Sequence, residues 1–172
     1  MPSMPGECWR IMSNTGLRPA TLVPPPAVYA AGLVLSWWLN RQWPLDLPFL
    51  ASLRWLGWGL LVVSMGLMIW SAFTIWRHRT TVNPYRGASA LVQNGPYAFS
   101  RNPIYLADAI LYAGVWLLLH SGWPLLLAPL VWAIMRFGVI RHEEAHLRAK
   151  FGSSYAEYCR RTGRWLGRSK EK

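Results

Sequence analysis

The sequence predicts an all-helical integral membrane protein with about four transmembrane helices, and three observations carry that prediction. Trp55 to Trp76 is a stretch of 22 residues without a charge, and ~20 apolar residues rising 1.5 Å each cross a bilayer core. Ile104 to Ile140 is a second apolar region of 37 residues, too long for one crossing. The whole chain of 172 residues is 53% hydrophobic with 12 Trp, yet carries 18 Lys and Arg against 7 acids. That mixture is foreign to a soluble domain of this size and fits apolar spans joined by basic surfaces.

The elements follow in order. Residues 1–23 are Pro-rich, carry no cleavage signal and are expected to be loosely ordered; the apolar run after them is read as a retained span. That run, Ala27 to Trp43, follows Pro24-Pro25-Pro26 and is closed by Asn40-Arg41-Gln42. Trp55–Trp76 is the second span. His120-Ser-Gly-Trp-Pro124 supplies turn chemistry that folds the 104–140 region into an antiparallel hairpin of two shorter spans. Residues 77–103, with Pro84, Gly87, Gly95, Pro96 and Pro103, are expected to form a structured cytoplasmic loop or re-entrant segment.

Charge sets the expected orientation, because Lys and Arg flanking a span collect on the cytoplasmic side. With four spans, sixteen of the eighteen basic residues fall on one side, leaving Arg41 and Arg54 on the other. Both termini and both polar blocks are thereby expected in the cytoplasm. Cys8 and Cys159 have no paired spacing there and read as reduced thiols. No internal repeat divides the chain, which reads as a single domain over 1–172.

Beyond Ile140 the pattern turns polar and helical. Glu144 and Arg148 stand at i, i+4, Gly152 is a C-terminal stop, and Ser154 with Glu157 fits a capping box before a second short helix carrying Tyr155 and Tyr158. The basic tail from Arg160 to Lys172 is expected to meet anionic lipid headgroups, and no nucleic-acid partner is expected.

Two ionisable residues fall inside the hairpin spans. Asp108 and Arg136 lie about 13 and 14 residues from the turn, at similar depth on regular helices, so an ion pair between them is expected, or a ligand contact.

His142-Glu143-Glu144-Ala145-His146 matches H-E-x-x-H, the spacing at which two His bind zinc with Glu as base. A membrane zinc metallopeptidase is therefore one alternative function, and a non-enzymatic membrane scaffold another. Catalytic zinc needs a third protein ligand, and His78 and His120 are expected elsewhere, so no metal site is assigned.

The ordered set Gly95-Pro-Tyr97, Arg101-Asn-Pro-Ile-Tyr105, an apolar hairpin, Glu143-Glu144, Phe151-Gly-Ser-Ser-Tyr-Ala-Glu-Tyr158 and Arg164-Trp165 resembles the isoprenylcysteine carboxyl methyltransferase and phospholipid methyltransferase group of integral membrane enzymes. The resemblance covers residues 80–166, the expected catalytic region. One residue departs from it: Asn102 stands where the eukaryotic enzymes typically have His, retaining hydrogen bonding but not an imidazole.

The resemblance implies methyl transfer from S-adenosyl-L-methionine to a small lipophilic or membrane-associated acceptor: an isoprenylcysteine-like carboxylate, a phospholipid, an amine or a thiol. Leu91, Val92 and Tyr97 would line the nucleotide pocket. Asn102, Pro103 and Tyr105 would shape the methionine end, Arg101 would be a further cofactor-binding residue, and Glu143 or Glu144 would hold the ammonium. This mixture of carboxylates, donors and rings suits a cationic, partly apolar cofactor. Arg136 and Arg141, just before the glutamates, are the candidates for orienting an anionic acceptor, with Glu143 as the third catalytic candidate.

Overall fold

A computed structural model describes residues 24–78 and 91–167. The expectations for residues 1–23, for Pro84 and Gly87, and for the last residues of the basic tail lie outside those described. Among the described residues the architecture is entirely helical, apart from one isolated bridge between Asp46 and Ser121.

Helix α1 spans Pro25–Gln42, with Pro25 at its first position, where a missing N–H costs no hydrogen bond. Its buried stripe of Val28, Tyr29, Gly32 and Ser36 recurs at helical spacing, while Val34, Leu35, Trp37 and Trp38 are exposed. A two-turn 3-10 helix, Pro48–Leu53, leads into α2, Arg54–Arg77. After the 3-10 turn Gly95–Ala98 come α3, Pro103–Leu119, and α4, Trp123–Ala133. Wider π turns over Ile134–Ile140 carry α4 without interruption into α5, Arg141–Arg161.

Two helical stretches, Pro48–Arg77 and Trp123–Arg161, are long and apolar enough to cross a membrane. Pro103–Leu119 is apolar but shorter. The Trp123–Arg161 stretch divides in character at Ile140: the apolar part ends there, and α5 begins with Arg-His-Glu-Glu.

Small residues let α2 and α3 approach. A Cβ on Gly114 would stand 3.0 Å from the Gly57 carbonyl oxygen, and one on Gly57 would stand 3.2 Å from that of Gly114. Ser64 adds a buried hydrogen bond, donating to the Ala107 carbonyl at 2.8 Å. The outer face of α2 bears Trp55, Trp58, Val62, Ile69 and Trp76, all exposed, the surface expected where the surroundings are hydrocarbon. The main core joins α1, α3, α4 and the π turns through Tyr29, Tyr112, Val131 and Met135, with the Tyr112 hydroxyl donating to the Pro124 carbonyl at 2.8 Å.

The connection after α1 packs against the α3–α4 turn. Leu47 N–H donates to His120 O at 2.7 Å, Gly122 N–H to Leu45 O at 2.8 Å, and the Ser121 hydroxyl to Asn40 Oδ1 at 2.8 Å. His120 closes α3 in the left-handed region, φ 51°. Both turns thus occupy one end of the helices, and the polar blocks at 94–102 and 141–165 gather at the other.

The helix break falls at Gly152 as the sequence suggests, with φ 51° and ψ −121°, a conformation that costs an L side chain strain. Two local expectations around it are corrected. Glu144 does not pair with Arg148 but is taken by Arg164 and Arg101, because those cations approach from the protein side while Arg148 is exposed. Glu157 does not serve a capping box but pairs with exposed Arg161, one turn on.

The expected Asp108–Arg136 pair is also absent among the described residues. Asp108 is buried with Oδ2 unpartnered, whereas the Arg136 guanidinium stacks over Trp132 and Phe137, 5.8 and 5.9 Å from their ring centres. The equal-depth count assumed regular helices. The π turns at Ile134–Ile140 add residues per turn and change the direction in which position 136 faces.

Candidate active site

Two segments far apart in sequence are stitched together at the polar end. From the loop before α3, Arg101 N–H donates to Gly163 O at 3.0 Å and Asn102 Nδ2 donates to Arg164 O at 3.1 Å. From the other side, the Tyr158 hydroxyl donates to Tyr97 O at 2.7 Å and Gly167 N–H to Phe99 O at 3.1 Å. These bonds satisfy backbone groups of a loop that has no ladder of its own, as buried main chain requires. A small apolar cluster of Tyr155, Tyr158 and Cys159, packed by Leu91, Leu147 and Phe151, lies beneath them.

Within this frame the two glutamates take different partners. Glu144 is buried and receives Arg164 in a two-pronged contact, Nε to Oε1 at 2.8 Å and Nη2 to Oε2 at 2.6 Å. The Arg101 Nη1 stands 3.6 Å from Glu144 Oε1 and also donates to Cys159 Sγ. Glu143 instead accepts a 2.6 Å hydrogen bond from the Tyr105 hydroxyl at the start of α3.

Helical geometry explains the division. Successive residues on a helix point about 100° apart, so Glu143 and Glu144 address different neighbours.

The electrostatics follow from burial. The Glu143 carboxyl is pushed above its ordinary value of 4.5, chiefly because surrounding protein strips water from its charged form; the Tyr105 hydrogen bond opposes that rise and the Glu144 charge adds to it. Tyr97 is likewise pushed up, first by burial and then by the Glu143 charge, which places its hydroxyl within electrostatic reach of that carboxylate.

Of the residues that the sequence nominated, the structure brings together Tyr97, Tyr105 and Glu143 in one group, and Arg101, Asn102 and Glu144 in an adjoining one. Pro103 opens α3 between them, Val92 is buried, and Leu91 lies on the Tyr155–Tyr158 cluster. Asn102, in the position usually held by His, is committed to the Arg164 carbonyl.

Arg136 and Arg141 lie elsewhere. With Phe137, Glu144, Ala145, Arg148 and Arg164 they line a cavity of about 440 Å³ that does not include Glu143.

Arg164, the two-pronged partner of Glu144, is the residue of this cluster that the sequence reading undervalued. It entered there only as part of a basic-aromatic ending, because no spacing rule links it to Glu144, 20 residues earlier.

The H-E-x-x-H residues do not assemble a metal centre: His142 is exposed, Glu143 is held by Tyr105, and no group of three His, Cys or carboxylates gathers among the described residues.

Comparison with known proteins bears on the same region. No curated protein and no solved structure matches the chain significantly. The phospholipid methyltransferase family model matches residues 53–154, from the start of α2 through the Tyr105 and Glu143–Glu144 blocks and just past Gly152. That match covers more than half of the chain. The chain therefore belongs to the phospholipid methyltransferase family.

Proposed function

We propose that the protein is an S-adenosyl-L-methionine-dependent membrane methyltransferase acting on a small lipophilic or membrane-associated acceptor. The observation that carries this reading is the convergence of Tyr97, Tyr105 and Glu143, drawn from two blocks on either side of the α3–α4 hairpin, beside the Arg101–Glu144–Arg164 cluster.

The residues present fit the cofactor by their chemistry. Glu143 is a carboxylate with one protein donor, suited to an ammonium. Arg101 Nε is buried and has no partner among the described residues, an N–H suited to a carboxylate. Tyr97 and Tyr105 offer ring faces to a sulfonium and to adenine, and Leu91 and Val92 offer apolar wall. Asn102 and Pro103 hold the loop in place, and Glu144 holds Arg101. S-adenosyl-L-methionine, when bound, supplies an electrophilic methyl group.

The protein's own part is to bind, align and exclude water, since positioning of the acceptor contributes much of the acceleration in such a transfer. Arg136 and Arg141 present cations to the anionic end of an acceptor.

The same reading gives α1, α2, α3 and α4 as four crossings, the last ending at Ile140, with both termini and the site on the cytoplasmic side. Pairing of residues 45–47 with 120–122 at one end supports the up-down order, and the basic excess at the other end supports the orientation.

The test is transfer of labelled methyl from S-adenosyl-L-methionine by the purified chain into a panel of lipid extracts, prenylcysteine analogues, amines and thiols. Label entering at least one extractable acceptor, and lost in Glu143→Gln, supports the assignment. Labelling that persists unchanged in Glu143→Gln sinks the site, and none with any acceptor despite cofactor binding sinks the activity.

A further inference from the structure

We infer that the cavity lined by Arg136, Arg141 and Arg148 holds the phosphate of a net-anionic phospholipid and selects it over a zwitterionic one. The inference deepens the reading above by naming the group that Arg136 and Arg141 hold; it rests on the membrane placement of α4 and not on methyl transfer.

Charge is the first argument. Four arginines line the cavity with a single acid, Glu144, and that acid is already engaged by the fork from Arg164. Arg136, Arg141 and Arg148 make no ion pair among the described residues. Three cations without counter-charges around about 440 Å³ repel one another and gain most from an anion placed between them. The headgroup of a zwitterionic lipid would bring its own ammonium toward the same guanidiniums.

Shape is the second argument. Phe137, Arg141, Ala145 and Arg148 follow one another at intervals of four, four and three residues, which puts them on one helix face. Ala145 leaves a hollow between Arg141 and Arg148, one turn away on either side. A carboxylate is matched by one guanidinium fork, as Glu144 is by Arg164. A phosphate offers more oxygens to several cations at once.

Position is the third. The cavity begins where α4 stops being apolar. Leu130, Trp132, Ile134 and Phe137 are exposed just before it, and Arg136 lies over Trp132 and Phe137. Aromatic rings and a snorkelling arginine at that height mark the headgroup level, with apolar surface below for acyl chains.

The experiment uses the full chain in detergent micelles, titrated with dioleoylphosphatidylglycerol and dioleoylphosphatidylcholine and read by native mass spectrometry. S-adenosylhomocysteine is titrated calorimetrically into the same samples. The wild type is expected to hold phosphatidylglycerol more tightly. Arg148→Gln removes a cation and Ala145→Glu puts a carboxylate into the hollow; both positions are exposed. Each should weaken phosphatidylglycerol about fivefold and leave phosphatidylcholine unchanged.

Equal binding of the two lipids, or unaltered phosphatidylglycerol binding in both variants, overturns the inference. Displacement of the lipid by equimolar inorganic phosphate would show a site for a free anion, and displacement by equimolar palmitate a carboxylate site; either overturns it as well. S-adenosylhomocysteine binding without lipid selectivity removes this inference and leaves the methyltransferase reading standing. Lipid selectivity without S-adenosylhomocysteine binding does the reverse.

Discussion

The Tyr105 hydroxyl donates a 2.6 Å hydrogen bond to Glu143, joining the first turn of α3 to the first turn of α5 across 38 residues of sequence. The bond spans the hairpin that the two intervening helices make. It orients the carboxylate that the proposed site offers to an ammonium, and it opposes the rise in that carboxyl's pKa.

Removing the hydroxyl tests the orientation. Tyr105→Phe keeps the ring and deletes one hydrogen bond to a charged group, worth about 1.5 kcal/mol or more. Affinity for S-adenosylhomocysteine should fall about tenfold, as measured by calorimetric titration. Unchanged affinity would show that the carboxylate needs no such positioning.

Protonation tests the charge. Burial holds the Glu143 carboxyl above 4.5, and only its ionised form attracts an ammonium. Affinity for S-adenosylhomocysteine should therefore fall on acidification, and the fall should begin at higher pH than an ordinary glutamate would cause, because burial raises this carboxyl. In Glu143→Gln the affinity should already be low at neutral pH and the acid decline absent, so that the two proteins converge at acid pH. An identical decline in that variant would assign the titration to another group.

The Glu144–Arg164–Arg101 cluster tests the scaffold beneath the site. The Glu144 and Arg101 side chains retain only 7% and 4% of their exposure, so Glu144→Gln leaves a buried guanidinium without its counter-charge. Deleting one member of a buried pair costs about 3 kcal/mol or more. A clear drop in thermal unfolding temperature is expected, and Glu144→Gln combined with Arg164→Gln should cost less than the sum of the two. Additive losses would mean that the two groups do not act as a pair.

The glycine contact between α2 and α3 tests the packing of the two helices. Gly114→Leu would drive a side chain into the Gly57 carbonyl, where even a Cβ would stand 3.0 Å away. Overpacking of this kind costs about 1–3 kcal/mol. Lower thermal stability and loss of S-adenosylhomocysteine binding should appear together, because α3 also carries Tyr105. Full stability would show that the helices can separate at no cost.

Local chemistry explains what the sequence disclosed. Trp55–Trp76 has no charge to interrupt it, His120-Ser-Gly122 makes the turn with Trp123 and Pro124 already opening α4, and Gly152 stops a helix by its own backbone freedom; each break appears where the sequence placed it. The family was legible because its motifs keep their order. What stayed hidden depends on the direction in which a side chain faces. Adjacent Glu143 and Glu144 look alike in sequence, yet one meets Tyr105 and the other Arg164. The π turns at Ile134–Ile140 redirect Arg136 away from Asp108, and no residue there announces them. The partner of Glu144 lies 20 residues away among many equivalent arginines, so spacing alone chose Arg148 wrongly.

The most direct measurement is calorimetric titration of S-adenosylhomocysteine into the detergent-purified chain and its Glu143→Gln variant at neutral pH. Saturable binding by the wild type, weakened about thirtyfold in the variant as the loss of a ~2 kcal/mol charged contact requires, is the expected result. No binding by folded wild-type protein, or equal binding by both, would contradict a cofactor site built around Glu143.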